Sequence, residues 1–192
     1  MRELVCIVEG HGEVQAVPIL IRRIAEYLGV GEPIKLFPYR GKRQKLVKSG
    51  EIERVVSLMA NKVGPRGGIL VLLDADDDCP ATLGAELRER ARAVRADRQI
   101  AVVLACREYE SWFVAAAASL QGRRGLPSVF VSPDSPERHG KGFLESLMPD
   151  GYSETTDQPA LSACMDIDAA RRSRSFDKLV RDIAWLLDVG RD

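Results

Sequence analysis

Histidine is nearly missing from this sequence. His11 and His139 are the two present in 192 residues, so a histidine-rich zinc centre is not expected. Cysteine is sparse and scattered: Cys6, Cys79, Cys106 and Cys164 form no CxxC pair. Cys6 and Cys106 sit in apolar runs, where a reduced thiol behaves as a small hydrophobe. That usage points to a reducing compartment without structural disulfides. No apolar run reaches the roughly 18 residues of a membrane span. The opening "MRELVCIVEG" goes straight into a strand, with no basic-then-apolar leader. The expectation is a cytoplasmic protein that does not touch a membrane. Net charge is lacking too, since 28 Lys and Arg balance 28 Asp and Glu. No global field draws the chain to a polyanion, and any such binding needs a local patch. A GxxxxGK phosphate loop is also absent, so ATP hydrolysis is not expected of this chain itself.

What is present is an alternation of strand and helix signals over a length that suits one domain, residues 1–192. The apolar run at 3–9 reads as a first strand, stopped by "GHG". Val17, Leu20, Ile21, Ile24 and Leu28 then keep the 3.6-residue spacing of a buried helix face. Pro18 belongs in a first turn, which puts Glu13 at or near the N-cap. Further strands are expected at 33–40, 67–74 and 100–106, with helices marked by Ile52 to Val63 and Leu83 to Val94. "REYESWFVAAAASL" (107–120) reads as another helix, and the stretch 121–142 as a loop. Two helices close the chain within about 157–189, one with Asp157 as N-cap and one with Ser175. The simplest placement for both is against the sheet. The fold class is therefore α/β, an open and mostly parallel sheet flanked by helices.

The densest chemistry lies in "ILVLLDADDDCP" (69–80), where five apolar residues run into four aspartates. In parallel α/β sheets ligands bind beyond the carboxyl ends of the strands. Glu9 follows the first strand, Asp74 the third, and Glu108 to Glu110 the fourth. Neighbouring strands lie about 4.8 Å apart. Like charges about 4 Å apart repel by about 4 kcal/mol at an effective dielectric near 20. Three or four such acids need protonation or a bridging cation. Oxygen ligands without histidine suit Mg²⁺ or Mn²⁺. Glu9, Asp74 with its neighbours Asp76 and Asp78, and an acid of the Glu108 to Glu110 stretch form the candidate ligand set. Aspartates after a strand also make turns and cap helices, and Asp77 and Asp78 suit that role as well.

Basic residues gather in "YRGKRQKLVK", with Arg40, Lys42, Arg43 and Lys45 as candidate nucleic-acid contacts. A solvated face is the alternative for the same run. Arg171, Arg172 and Arg174 make a second cluster, read as solvated or partner-facing. Trp112 and Phe113 suit core packing that aims the neighbouring acids.

"VEGHGE" followed later by Asp74-Ala-Asp76 resembles the Toprim fold of bacterial primases, topoisomerases, recombination proteins and the nucleases of the overcoming-lysogenization-defect family. Taken whole, the chain resembles more closely a bacterial Toprim-like family of unknown function, DUF4276, often found beside AAA-type ATPases. "VEGHGE", "LLDADDD", "REYESWF", "TTDQPAL" and "SRSFDKL" carry that likeness. The resemblance implies that Asp74 and Asp76 ligate metal and that Glu9 ligates it or serves as general acid/base. In the nuclease branch a second acid follows the first by four residues. Glu13 has that spacing and is a further candidate ligand, which permits a second metal, and Glu110 resembles the late acid of that branch. Lys141 in "HGKGF" is the candidate basic group near phosphate, or else a solvated loop lysine. His11 departs from the glycine-rich or hydrophobic positions of those enzymes and reads as a loop residue.

The expected function is Mg²⁺- or Mn²⁺-dependent cleavage of a phosphodiester in DNA or RNA. Bacterial defence with an AAA-type ATPase partner follows from the resemblance alone. A non-catalytic, metal-binding adaptor subunit of an ATPase complex is the alternative. A phosphatase with a DxD nucleophile is disfavoured, because its DxD would stand on the first strand, which here ends in Glu9.

Overall fold

The computed structural model describes residues 1–130, 135 and 139–190. Four strands, β1 (Arg2–Val8), β2 (Ile34–Arg40), β3 (Gly68–Asp74) and β4 (Gln99–Ala105), form one sheet in the order β2-β1-β3-β4. Every pairing is parallel, with Ile7 opposite Tyr39 and near Val71, and Asp74 opposite Ala105. The α/β open parallel sheet expected from the alternating pattern is the observed one.

Strand periodicity sorts the apolar side chains into two cores. Leu4, Cys6, Val8, Leu70, Leu72, Ala101 and Val103 face one side. Val5, Ile7, Ile69, Val71, Ile100, Val102 and Leu104 face the other. Helices α1 (Glu13–Tyr27), the four-residue α2 (Arg43–Leu46), α3 (Glu51–Met59) and α4 (Pro80–Val94) follow in chain order. The second core is closed by α3 and α4. The first is closed by α1 and by elements after β4. These are α5 (Ser111–Ala115), α6 (Ala117–Leu120), α7 (Lys141–Leu147), α8 (Glu154–Ser162), α9 (Ile167–Ala170) and α10 (Arg174–Leu186). Pro38 lies in β2, an edge strand, where its missing N–H breaks no ladder. Among the described residues no helix is long and apolar enough to cross a membrane. All four cysteines are free.

Several local expectations need correction. The helix over 107–120 is two short ones, because Arg107 takes φ 60° and the chain turns before Ser111. A second break falls at Ala116. The stretch 121–142 is irregular up to Phe130 and gives way to α7 at Lys141, with 131–134 and 136–138 outside the described residues. Ser153, not Asp157, is the N-cap of α8, and Asp157 reaches back to accept the Ser153 N–H at 2.8 Å. Ser173, not Ser175, caps α10. Ser175 is spent inside, its Oγ accepting from the Trp112 indole at 2.9 Å and the Cys106 N–H at 3.2 Å. Of the closing helices α10 packs on the sheet, whereas α8 packs on α1. Trp112 and Phe113 are wholly buried in the core, as their apolar bulk suggests.

The contact between α1 and α8 rests on Gly12. A Cβ there would stand 2.1 Å from the Glu154 carbonyl oxygen and 2.4 Å from Gln158 Oε1. Gly12→Ala should therefore destabilise the protein by about 1–3 kcal/mol, read by urea denaturation. Gly142→Ala, which meets nothing within 4 Å, should not.

Candidate functional site

The strand order reverses between β1 and β3, so their connections diverge and leave a crevice at their carboxyl ends. Glu9 leaves β1 at this point and Asp74 ends β3. Glu13 opens α1 immediately beyond, and its Oε2 accepts the Glu9 N–H at 3.0 Å. A Cβ at residue 10 would lie 3.2 Å from Glu13 Oε1, so Gly10 lets the loop fold over that carboxyl. Asp74 Oδ1 accepts the Tyr109 N–H at 2.8 Å. Glu110 Oε1 accepts from the Tyr152 hydroxyl at 3.0 Å and from Gln158 Nε2 at 3.2 Å. Glu13 and Glu110 are 3% and 4% exposed, which is rare for glutamates without a cationic partner.

Burial dominates their electrostatics. It pushes Glu13 up to about 7, with Glu110 and Glu9 adding repulsion against the amides of Glu9 and Gly10. Asp74 is raised well above the usual carboxylate range by burial and then by Glu13, Glu110 and Glu9. Glu9 is raised by burial and by Asp76, with Arg43 opposing. Glu110 is raised chiefly by burial. The acids of the three strand ends thus feel one another, as their sequence positions suggest.

The rim is held differently. Arg43 turns inward from the start of α2, and its Nε donates to the Asp74 carbonyl at 2.8 Å and its Nη2 to the Ala75 carbonyl at 3.2 Å. The same guanidinium pairs with Asp76 at 3.2 Å and with Asp78. Asp77 pairs with Arg107 at 3.1 Å. Asp76 adopts φ 50° and donates its N–H to the Arg107 carbonyl at 3.0 Å, strapping the end of β3 to that of β4. The basic run therefore divides: Arg40, Lys42 and Lys45 are exposed, while Arg43 is a fixed part of the acidic rim. Lys141 donates through Nζ to Glu154 Oε1 at 2.8 Å, and its backbone N–H donates to Glu108 Oε2 at 2.8 Å. The Glu154 bond raises the Lys141 ammonium's pKa, and Glu110 adds to it. His11 is exposed.

Among the described residues no group of three or more His, Cys, Asp or Glu side chains is arranged, as it stands, to hold a metal ion. Glu13, Asp74 and Glu110 each have an oxygen tied to a donor from their surroundings. The Glu9 carboxyl feels the backbone amides of Arg43 and Asp74, while its Oε2 stays unpartnered among the described residues. The inward role of Arg43, and Tyr152 and Gln158 as the donors to Glu110, were not foreseen from the sequence. The one available signal was "TTDQPAL", which contains Gln158.

Two expectations follow. In metal-free protein, Glu13 keeps its proton to about pH 7, against 4.5 for an ordinary glutamate. Stabilisation from this group is complete below about pH 4.5 and is lost as pH rises through 7. The loss is about 3 kcal/mol. Glu13→Gln should lessen the fall in stability across that window, which Glu9, Asp74 and Glu110 share, and exceed the parent protein in stability above it, measured by urea denaturation in chelator. Arg43→Ala should cost about 2–4 kcal/mol because it strands two carbonyls and unpairs two aspartates. Arg40→Ala should stay within about 0.5 kcal/mol.

No curated protein and no solved structure matches this chain. A family model does, over residues 8–184, a span that includes all four strand ends, the acidic crevice and α8. The chain belongs to the family described as Domain of unknown function (DUF4276).

Proposed function

We propose that the crevice is a Toprim-type centre that cleaves phosphodiesters of DNA or RNA with Mg²⁺ or Mn²⁺ as cofactor. Oε2 of Glu9 carries this reading: it is buried and has no hydrogen-bond partner among the described residues. An unsatisfied buried acceptor costs about 1–3 kcal/mol, more if charged, so its retention at a strand-end crevice favours a ligand that supplies positive charge. The oxygens of Asp74 and Asp76 near Glu9 are the donor type a hard divalent ion takes, with the Arg43 guanidinium also beside them. Glu9, Asp74 and Asp76 would hold the ion, with Glu13 and Glu110 available for a second. When bound, it supplies charge stabilisation to phosphoryl oxygens and lowers the pKa of water beside it.

The chain's own groups have separate tasks in this scheme. Glu9, raised by burial and by Asp76, would take the proton of the attacking water on the carboxylate oxygen that does not hold the ion. Tyr152 and Gln158 hold Glu110 in one orientation. Arg43 fixes the Asp74–Ala75 backbone and balances Asp76 and Asp78. Lys141, steadied by Glu154, offers a positive charge to phosphate. Arg40, Lys42 and Lys45, exposed beyond β2, hold the polynucleotide backbone through non-specific contacts. An AAA-type ATPase partner and a role in bacterial defence complete the proposal, resting on family likeness.

A second reading, a non-catalytic metal-binding adaptor for such an ATPase, is favoured by Arg43. A guanidinium already bound to Asp76 leaves less of the rim free for chemistry. Calorimetric titration with Mn²⁺ and Mg²⁺, followed by a plasmid-nicking assay, separates the two. Cleavage is expected only with added metal, and Asp74→Asn or Glu9→Gln should lower it on the order of 10²-fold or more. One tight metal site without nicking would favour the adaptor. Full cleavage by the Glu9→Gln, Asp74→Asn double variant would overturn the enzymatic proposal.

A further inference from the structure

A second concavity opens where β4 ends. It has a volume of about 610 Å³ and is lined by Cys79 at the start of α4, Cys106 after β4, and Arg172, Ser173, Arg174 and Lys178 around the start of α10. Small-molecule sites run from about 300 to 1,000 Å³, and this one falls within that range. Three of its lining residues are cationic and none is acidic, in a chain whose net charge is zero.

The positive charge there is largely uncompensated. Lys178 donates to the Val102 carbonyl at 3.0 Å and pairs with Asp182. Arg172 donates only to carbonyls, of Ala169 at 3.2 Å and Ala115 at 3.4 Å, and meets no carboxylate among the described residues. The side chain of Arg174, exposed at the first position of α10, makes no hydrogen bond or ion pair among the described residues. Guanidinium groups without carboxylate partners beside a cavity are the donors that a phosphate group uses. The α10 N-terminus adds to the same field. Ser173 gives it no side-chain cap, its Oγ lying 3.1 Å from Ser175 Oγ instead.

We propose that this cavity binds a phosphate group carried by a nucleotide, free or within a polynucleotide, with Arg174 and Arg172 as its charged contacts. It shares none of the crevice acids and stands whether or not the crevice cleaves. Ser175 lines the cavity and accepts the Trp112 indole N–H, so Trp112 fluorescence reports on occupancy. The chain has two tryptophans, and Trp185→Phe leaves Trp112 alone.

The test titrates the Trp185→Phe protein with adenosine 5′-monophosphate and, separately, with a 5′-phosphorylated tetranucleotide, with calorimetry in parallel. Saturable binding of at least one probe is expected, weakened about tenfold by Arg174→Gln and further by adding Arg172→Gln. Asp74→Asn should leave it unchanged, which separates this site from the crevice. Preference for the mononucleotide assigns the free nucleotide, and preference for the tetranucleotide assigns the polynucleotide. The Arg174 side chain is exposed and makes no hydrogen bond or ion pair among the described residues, so the Arg174→Gln protein should melt with its parent. Absence of saturable binding of either probe at about 1 mM, or equal affinity in the arginine variants, would overturn the proposal.

Discussion

Burial of carboxyl groups from several strand ends in one crevice is the constraint on which the rest of this structure depends. Parallel pairing of β1, β3 and β4 brings the chain segments after them to one edge. The reversal of strand order between β1 and β3 leaves that edge open. Glu9, Asp74, Glu13 and Glu110 are placed there by backbone topology before any side-chain preference acts. Their mutual repulsion, added to desolvation, then dictates what else must be present.

Three devices offset that repulsion within the chain. Protonation is made easier, because burial and neighbouring charge raise each inner acid. Backbone and side-chain donors tie one oxygen on each of Glu13, Asp74 and Glu110. On the rim, Arg43 supplies a fixed positive charge against Asp76 and Asp78 while gripping two carbonyls. Glu9 is left out of this arrangement on one oxygen. Among the described residues Glu9 Oε2 and Gln158 Oε1 are buried acceptors without a hydrogen-bond partner, and the Glu9 oxygen is the one that belongs to a strand-end carboxyl.

The strands and the converging acids are legible because both follow from short-range patterns: apolar runs of strand length, three of the four followed by an acid. Helix starts were less so. Prolines suggested first turns, yet Pro18 and Pro159 are each the sixth residue of their helix, and the caps fell on Gly12 and Ser153. Ser175 looked like a cap by residue type, but the buried Trp112 indole N–H required an acceptor and took it. Arg43 has an inward role that its sequence neighbourhood conceals. In sequence it belongs to a basic run with Arg40, Lys42 and Lys45, and nothing local reveals that Asp74 to Asp78, some thirty residues on, fold against it. Tyr152 and Gln158 were hidden for the same reason, since both come to Glu110 from elements after β4. Family membership over residues 8–184 agrees with the likeness carried by the quoted motifs.

Crystals of the full chain equilibrated with Mn²⁺ test the central claim most directly, because the anomalous signal of manganese locates the ion independently of any assay. The account places a peak in the crevice within ligating reach of Glu9 and Asp74, abolished by Glu9→Gln with Asp74→Asn. A crevice empty of manganese, with Glu9 Oε2 answered instead by a protein donor or an ordered water, would contradict it.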